Sequence, residues 1–403
     1  MVNQQKEPAI KRIIISFIGW ATVFTTSLQA DDAAVARQPK QFAIIFNMGY
    51  AGDNLPKDPK SFELLVRGIK EAHFNTILCK YEDWRAEICK KRGVQIFVDL
   101  LVTENHIYKN VEAAKKLCAS LRGNEVIYGY HLWSDNIGGT YPGRSRDVKY
   151  VHEWDPTHAV YVGSYRMSRV NRVVGLDLLG YYDFHWSRGG HWGNLSKASG
   201  VAKGKNASFL RYCDPSPGQI GKGNPNRAGF TIATSIPFGL KGYLFHYRGG
   251  VIDLRTGELD ALGRDLQKVN AKFAGIGNEL MTIGNPTAVW STKVTKTAKD
   301  RPTGNAPAVP GGLAPIPKDN WFQVKTGEVL LGHFKDPKGR DVIAFASHNA
   351  YQSQAVLLEL GEQATKAEIF DRKSGQWVKP ETSGNKVEFN LAEYAIELLR
   401  IER

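Results

Sequence analysis

The sequence predicts an α/β fold: a (β/α)8 barrel followed by a small all-β sandwich. Three observations carry this. Between residues 41 and 283, short apolar, β-branched runs alternate with helical patterns eight times. The spacing is roughly thirty residues, the length of one strand-plus-helix unit. The runs are apolar almost throughout, as parallel strands covered on both faces must be. After residue 283 the helical patterns stop, and short strands separated by Gly, Pro and Asp turns take over, as in an antiparallel sandwich.

The chain of 403 residues is long enough for one large and one small domain, and 42% hydrophobic content supports a sizeable core. Residues 1–30 read as a secretory signal peptide. Lys6, Lys11 and Arg12 form a positive start, Ile13 to Val23 an apolar stretch, and Ser27 to Ala30 a small-residue cleavage region. The apolar stretch is short for an unaided bilayer span. An uncleaved anchor is the alternative. Residues 31–40 read as a linker. The expected location is therefore secreted or periplasmic.

The eight expected strands are Phe42 to Asn47, Phe74 to Cys79, Val94 to Leu100, Val126 to His131, Ala159 to Ser164, Leu178 to Phe184, Ser208 to Cys213 and Gly242 to Tyr247. Ser61 is the expected cap of the first helix, whose face carries Phe62, Leu65 and Ile69. Val111 to Leu121 reads as a later helix, and Leu262 to Met281 as the last and longest. Eight such units close a barrel. A doubly wound open sheet is the alternative, but no Gly-rich phosphate loop follows the first strand. In the sandwich, residues 284–403, the expected strands begin with Thr287 to Trp290 and end with Ala395 to Ile401. A Pro/Gly-rich loop interrupts them at about 300–319.

The formal net charge is +13, falling to +11 without residues 1–30. A basic exported protein suits acidic partners, an anionic glycan among them. Lys and Arg form no dense cluster, so nothing marks a nucleic-acid binder. Cys79, Cys89, Cys118 and Cys213 match no zinc pattern. Cys89 and Cys118 fall on helices expected to be neighbours and could pair. Buried free thiols are the alternative.

Barrels of this kind carry their chemistry on the loops beyond the strands' C-terminal ends. Past the first four strands lie Asn47, then Trp84, then Asp99 and Glu104, then His131, Trp133, Asp135 and Asn136. Past the last four lie Arg166, then Tyr182, Asp183, His185 and Trp186, then Arg211, Tyr212 and Asp214, then His246 and Tyr247. Aromatic faces stack on sugar C–H groups, and charged groups take paired hydroxyls. The candidate substrate-binding residues are Asn47, Trp84, His131, Trp133 and Tyr182, with His185, Trp186, Arg211, His246 and Tyr247. Individually each has an ordinary structural reading, as a helix cap or as filler of the barrel mouth.

The segment from Tyr128 to Asn136 (Tyr-Gly-Tyr-His-Leu-Trp-Ser-Asp-Asn) resembles the fourth strand of clan A glycoside hydrolases and their β-galactosidase-like relatives, which carry a C-terminal sandwich. Trp154 to Val160, Asp177 to Asp183, Phe238 to Arg248 and Val329 to Asp336 are similar to further parts of those proteins. The resemblance implies carbohydrate hydrolysis by two carboxylates. It departs from the family where it matters most. Asp135 stands where the relatives keep a Glu acid/base, and no Glu occurs between Trp154 and Gly257, so a Glu nucleophile on the seventh strand is excluded. Asp135 is then the candidate acid, Asp214 the candidate base, and Asp183 the reserve base. Their shorter side chains favour the wider separation of inverting enzymes. The alternatives are a degenerate barrel that binds glycan without cleaving it, and other barrel chemistry. His131 with Asp135, or Asp183 with His185, could hold a metal, but the spacing matches no helix-face motif. Neither a metal nor a cofactor is expected.

Overall fold

The computed structural model describes residues 37–47, 55–101, 106–133, 141–182, 191–213, 225–245, 250–292, 313–348 and 352–403. Eight parallel strands close a barrel in sequence order: β1 (Ala43–Phe46), β2 (Thr76–Cys79), β3 (Gln95–Asp99), β4 (Ile127–Trp133), β5 (Ala159–Ser164), β6 (Leu178–Tyr182), β7 (Ser208–Cys213) and β8 (Leu240–Phe245). Ala43 of β1 pairs with Gly242 of β8, so the sheet has no open edge and the doubly wound alternative is excluded. Among the described residues the helices are α1 (Pro59–Glu71), α2 (Asp83–Arg92), α3 (Val111–Ser120), α4 (Tyr141–Trp154), α5 (Met167–Val170), α6 (His191–Gly204), α7 (Pro225–Ser235) and α8 (Ala261–Thr282).

Local chemistry explains where these elements begin and what they cover. Pro59 opens α1, and the Asp58 carboxylate accepts the Ser61 amide at 2.8 Å. The cap is therefore Asp58, and Ser61 lies inside the first turn. Proline is favoured at the first helical position because its missing N–H is not needed there. On α8, Leu266, Val269, Phe273, Ile276 and Leu280 are all buried. Their three-to-four-residue spacing makes one apolar stripe, each side chain contributing about 2 kcal/mol on burial.

The N-terminal end of the barrel is sealed by polar networks. Asp155, fully buried, accepts from Tyr130 Oη at 2.6 Å and from the Thr157 amide at 2.8 Å, and meets His158 Nδ1 at 2.6 Å. Burial opposes ionisation of this carboxyl, but the bonds from His158, Thr157 and Tyr130 outweigh it and hold the pKa well below the usual range. Asp177 lies close by in the sequence and is also buried. It accepts from the Val160 amide at 2.9 Å and pairs with His152 at 2.7 Å and Arg37 at 3.1 Å, so it ties the start of the described chain to the barrel floor.

Beyond the barrel, two antiparallel sheets form the sandwich. One has four strands: β10 (Phe322–Thr326), β13 (Gln354–Leu360), β17 (Lys386–Leu391) and β16 (Thr382–Ser383). The other has six: β15 (Gln376–Val378), β14 (Lys366–Asp371), β18 (Ile396–Glu402), β12 (Asp341–Ser347), β11 (Val329–Lys335) and β9 (Ala288–Ser291). The very short β15 and β16 carry too little alternation to be read from sequence. Phe322, Leu331, Phe345, Leu358 and Leu399 fill the space between the sheets. The sandwich packs tightly on the barrel. A Cβ on Gly332 of β11 would stand 2.4 Å from the Pro237 carbonyl, and one on Gly229 of α7 would stand 2.3 Å from the Tyr394 ring.

All four cysteines are buried thiols outside any disulfide. Of the two readings left open for Cys89 and Cys118, buried thiols are the one found, and burial pushes both up to about 12.

Candidate functional site at the barrel mouth

Strand alternation decides which side chains enter the barrel. Ala43, Ile45, Phe97, Tyr161, Leu178, Tyr182, Leu210, Tyr212 and Leu244 point inward and pack together. Going up the same rows toward the C-terminal ends, the interior turns polar. Asp99 ends β3, His131 lies beside it on β4, and Asn47 follows β1.

These residues form a chain across the barrel. His131 is 4% exposed. Its Nδ1 lies 3.4 Å from Asp99 Oδ1, and its ring stacks on Tyr161 with centroids 5.1 Å apart. The Tyr161 hydroxyl lies 3.4 Å from that of Tyr182, whose ring sits 4.4 Å from Tyr212. Asn47 Nδ2 donates to Tyr212 Oη at 2.5 Å, completing the row. Asp99 Oδ1 also accepts the Leu101 amide at 2.9 Å, which fixes the carboxylate. His131 Nε2, by contrast, is buried without a hydrogen-bond partner among the described residues. An unpaired buried nitrogen costs free energy and asks for a donor or acceptor from outside the fold.

Tyr161 keeps its position because two glycines leave room. A Cβ on Gly163 or Gly180 would stand 2.4 or 1.9 Å from its hydroxyl oxygen. No side chain larger than hydrogen fits at either site while the phenol is there.

A second cluster sits beside this row. The Arg144 guanidinium of α4 lies over the Tyr108 ring at 4.7 Å and bonds its hydroxyl. Burial brings Arg144 down to about 10 and raises the pKa of Asp147, 3.9 Å away. Burial lowers the pKa of His106, Lys109 and Arg144 adding to the effect and Asp99 opposing it.

Of the candidate binding residues, the structure brings Asn47, His131 and Tyr182 together and adds Asp99, Tyr161 and Tyr212. Two others lie elsewhere. Trp84, on α2, meets Phe62 edge to face at 5.3 Å and packs in the helical layer. Arg211 is fully buried on the outer face of β7, its guanidinium 4.8 Å from the Tyr181 ring centre. Parity accounts for it: Leu210 and Tyr212 point inward, so Arg211 points to the helices. The Trp133 side chain and Asp135, Asp183, Asp214, His185, Trp186, His246 and Tyr247 lie outside the described residues. Among the described residues, no three of His, Cys, Asp and Glu converge closely enough to hold a metal, and no helix is long and apolar enough to cross a membrane.

No family model matches the sequence, and no curated protein matches it. Solved structures similar to this chain include alpha-galactosidase I from Mortierella vinacea, at 8% identity and a TM-score of 0.49, covering 90% of this chain and 97% of that one. The GH51 arabinofuranosidase from Xanthomonas axonopodis pv. citri has 9% identity and a TM-score of 0.46 over 91% of this chain and 97% of its own. The endo-beta-1,4-mannanase from Thermotoga petrophila has 11% identity and a TM-score of 0.44 over 92% and 96%. The barrel assignment rests on the closed strand order, not on these likenesses.

Proposed function

We propose that the protein is a glycoside hydrolase-like enzyme, exported to the periplasm or beyond the cell, that acts on an oligosaccharide or polysaccharide at the barrel mouth. The observation that supports this best is the polar and aromatic row from Asn47 to Asp99, with the unpartnered, buried Nε2 of His131 within it. Hydroxyl groups supply the donor or acceptor that nitrogen lacks, and the tyrosines offer flat surfaces to sugar rings.

In this reading the chemistry belongs to the carboxylates that follow the strands. β4, β6 and β7 end at Trp133, Tyr182 and Cys213, and Asp135, Asp183 and Asp214 come one or two residues later in the sequence. Asp135 protonates the leaving oxygen, and Asp214, or Asp183 in its place, activates water. An inverting reaction needs the pair about 6.5–9.5 Å apart, which short aspartate arms favour. The absence of any Glu from Trp154 to Gly257 also supports a second reading, a barrel that binds glycan without cleaving it.

The test is turnover on a glycan panel by wild type and Asp135→Asn, alongside binding by calorimetry. A lost general acid lowers turnover by about 10²–10⁴-fold on poor leaving groups, with binding retained. Unchanged turnover per folded molecule would remove Asp135 from the chemistry. Binding without turnover in the wild type would establish the second reading.

A further inference from the structure

The proton of His131 can be placed from its partners. Asp99 Oδ1 accepts the Leu101 amide at 2.9 Å, so this oxygen works as an acceptor. His131 Nδ1 faces the same oxygen at 3.4 Å. Only a protonated Nδ1 can donate there. The contact is long, as hydrogen bonds at such sites often are until substrate tightens them. Were Nε2 protonated as well, a buried N–H would have no acceptor among the described residues. Orphaned buried donors are rarer in native proteins than under-used acceptors. His131 therefore carries one proton, on Nδ1, and Nε2 keeps a bare lone pair.

Other histidines of the chain show the alternatives. His158 meets the Asp155 carboxylate through Nδ1 at 2.6 Å and the Asn124 carbonyl through Nε2 at 3.1 Å. His333 meets Thr287 Oγ1 through Nδ1 at 2.9 Å and Asp341 through Nε2 at 2.6 Å. Both spend their two nitrogens on structure. His106, in the loop after β3, holds the tautomer opposite to that of His131. Its Nδ1 accepts the Tyr108 amide at 3.2 Å, which puts the proton on Nε2, and burial favours the neutral ring. His106 is only half-buried, so solvent can serve that N–H.

The His131 ring is held in place before any ligand arrives. Tyr161 stacks on it at an interplanar angle of 26°, and Phe97 meets it edge to face with centroids 5.6 Å apart. A ring flipped about its own axis would turn carbon toward Asp99 and lose the bond. A ligand that bonds Nε2 therefore has little ordering cost to meet at this residue.

We propose that His131 is the hydroxyl acceptor of the barrel mouth: Nε2 accepts a hydrogen bond from one hydroxyl of the bound saccharide, and Asp99 is the positioning residue that keeps the ring proton on Nδ1. The assignment rests on the glycan reading of the mouth and adds a rule of specificity to it. A saccharide that is deoxygenated or methylated at that hydroxyl has no proton to give and is rejected, because the buried nitrogen then stays unpaired. Asp99, although it is a carboxylate at a strand end, works through His131 by accepting a hydrogen bond and not by its charge.

The experiment labels the histidine ring nitrogens of the whole chain and reads their protonation by NMR, His131 being the signal missing from His131→Phe. The expected result is a protonated Nδ1 and a bare Nε2 for His131, and the reverse for His106. Manno-, galacto- and xylo-oligosaccharides are then titrated in. The one that binds should move the His131 Nε2 signal and leave those of His158 in place. Asp99→Ala removes the acceptor, frees the proton to move to Nε2, and should weaken saccharide binding per folded molecule about tenfold or more. Asp99→Asn is the rescue: its side-chain oxygen can keep both the Leu101 amide and His131 Nδ1, so the tautomer and most of the affinity should survive. Four results would overturn the proposal and leave the glycan reading intact: a proton on Nε2 in the wild type, saccharide binding that leaves that signal unmoved, full affinity in Asp99→Ala, or equal loss in the two Asp99 variants. A wild type that neither binds nor cleaves any of the three saccharides overturns the glycan reading itself, and the hydroxyl assignment falls with it.

Discussion

The two ends of the barrel treat buried polar groups in opposite ways. At the N-terminal end, Asp155 and Asp177 are each saturated by several partners from different elements. At the C-terminal end, among the described residues, Asp99 is held by the Leu101 amide and His131 alone, and His131 Nε2 has no hydrogen-bond partner. The difference teaches where this sequence keeps its stability and where it accepts a cost. Satisfied networks fix the floor, and an incomplete one is left at the mouth, the end where barrels of this kind carry their chemistry.

The sharpest way to break this comparison is at the floor. Asp155→Ala leaves Tyr130, Thr157 and His158 without their common acceptor, and breaking such a buried network costs about 3–5 kcal/mol. Urea unfolding should show this as a lower midpoint, with ligand binding per folded molecule unchanged. The pH dependence follows from the depressed pKa. The unfolded carboxyl takes up its proton first as pH falls, so the stabilisation is complete above about pH 5 and shrinks below about pH 4. The acid limb of the stability profile should be shallower in Asp155→Ala. Identical limbs in the two proteins would mean that Asp155 carries no special load.

Gly180→Ala probes the boundary between the two ends. The new methyl would stand 1.9 Å from the Tyr161 hydroxyl, so the phenol must move. Overpacking of this kind costs about 1–3 kcal/mol. It should also disturb the stacking on His131 and change the near-UV circular dichroism. The matched control is Gly200→Ala on α6, where a Cβ meets nothing within 4 Å. That substitution should stabilise by about 0.5–1 kcal/mol, because alanine is the better helix former. Equal melting temperatures for the two variants would show that the Tyr161 pocket is not tight.

Much of the barrel is legible because its signal is periodic. Eight apolar runs state the strand count, and the turn from helical to alternating patterns near residue 283 marks the sandwich. The site is less legible because position after a strand does not say which way a side chain points. Arg211 and Tyr212 are neighbours in the sequence, yet one faces the helices and the other the barrel interior. Reading the alternation backward from Leu210 separates them, and the same parity groups Asp99, His131 and Tyr161 across three strands. The cluster of Tyr108 and Arg144 has no such signal, since thirty-six positions separate residues that only folding brings together. Trp84 misleads for another reason: a large aromatic just past a strand serves the helical layer as readily as the mouth.

The smallest expected stability change is also the most diagnostic, because its sign reverses. His131→Phe keeps an aromatic ring of similar shape against Phe97 and Tyr161 and removes both nitrogens. Replacing a buried polar group that lacks a partner is nearly neutral or stabilising, because the desolvation cost of that group disappears. Asp99 does not become an orphan, since it is only partly buried and retains the Leu101 amide. The melting temperature should therefore stay level or rise slightly. Glycan binding should behave differently. If His131 Nε2 takes a sugar hydroxyl, losing that bond weakens binding by about 10- to 100-fold. A protein that becomes no less stable while losing its ligand is what a site kept for recognition predicts. A clear drop in stability with binding intact would place His131 among the packing residues and return the mouth to the same status as the floor.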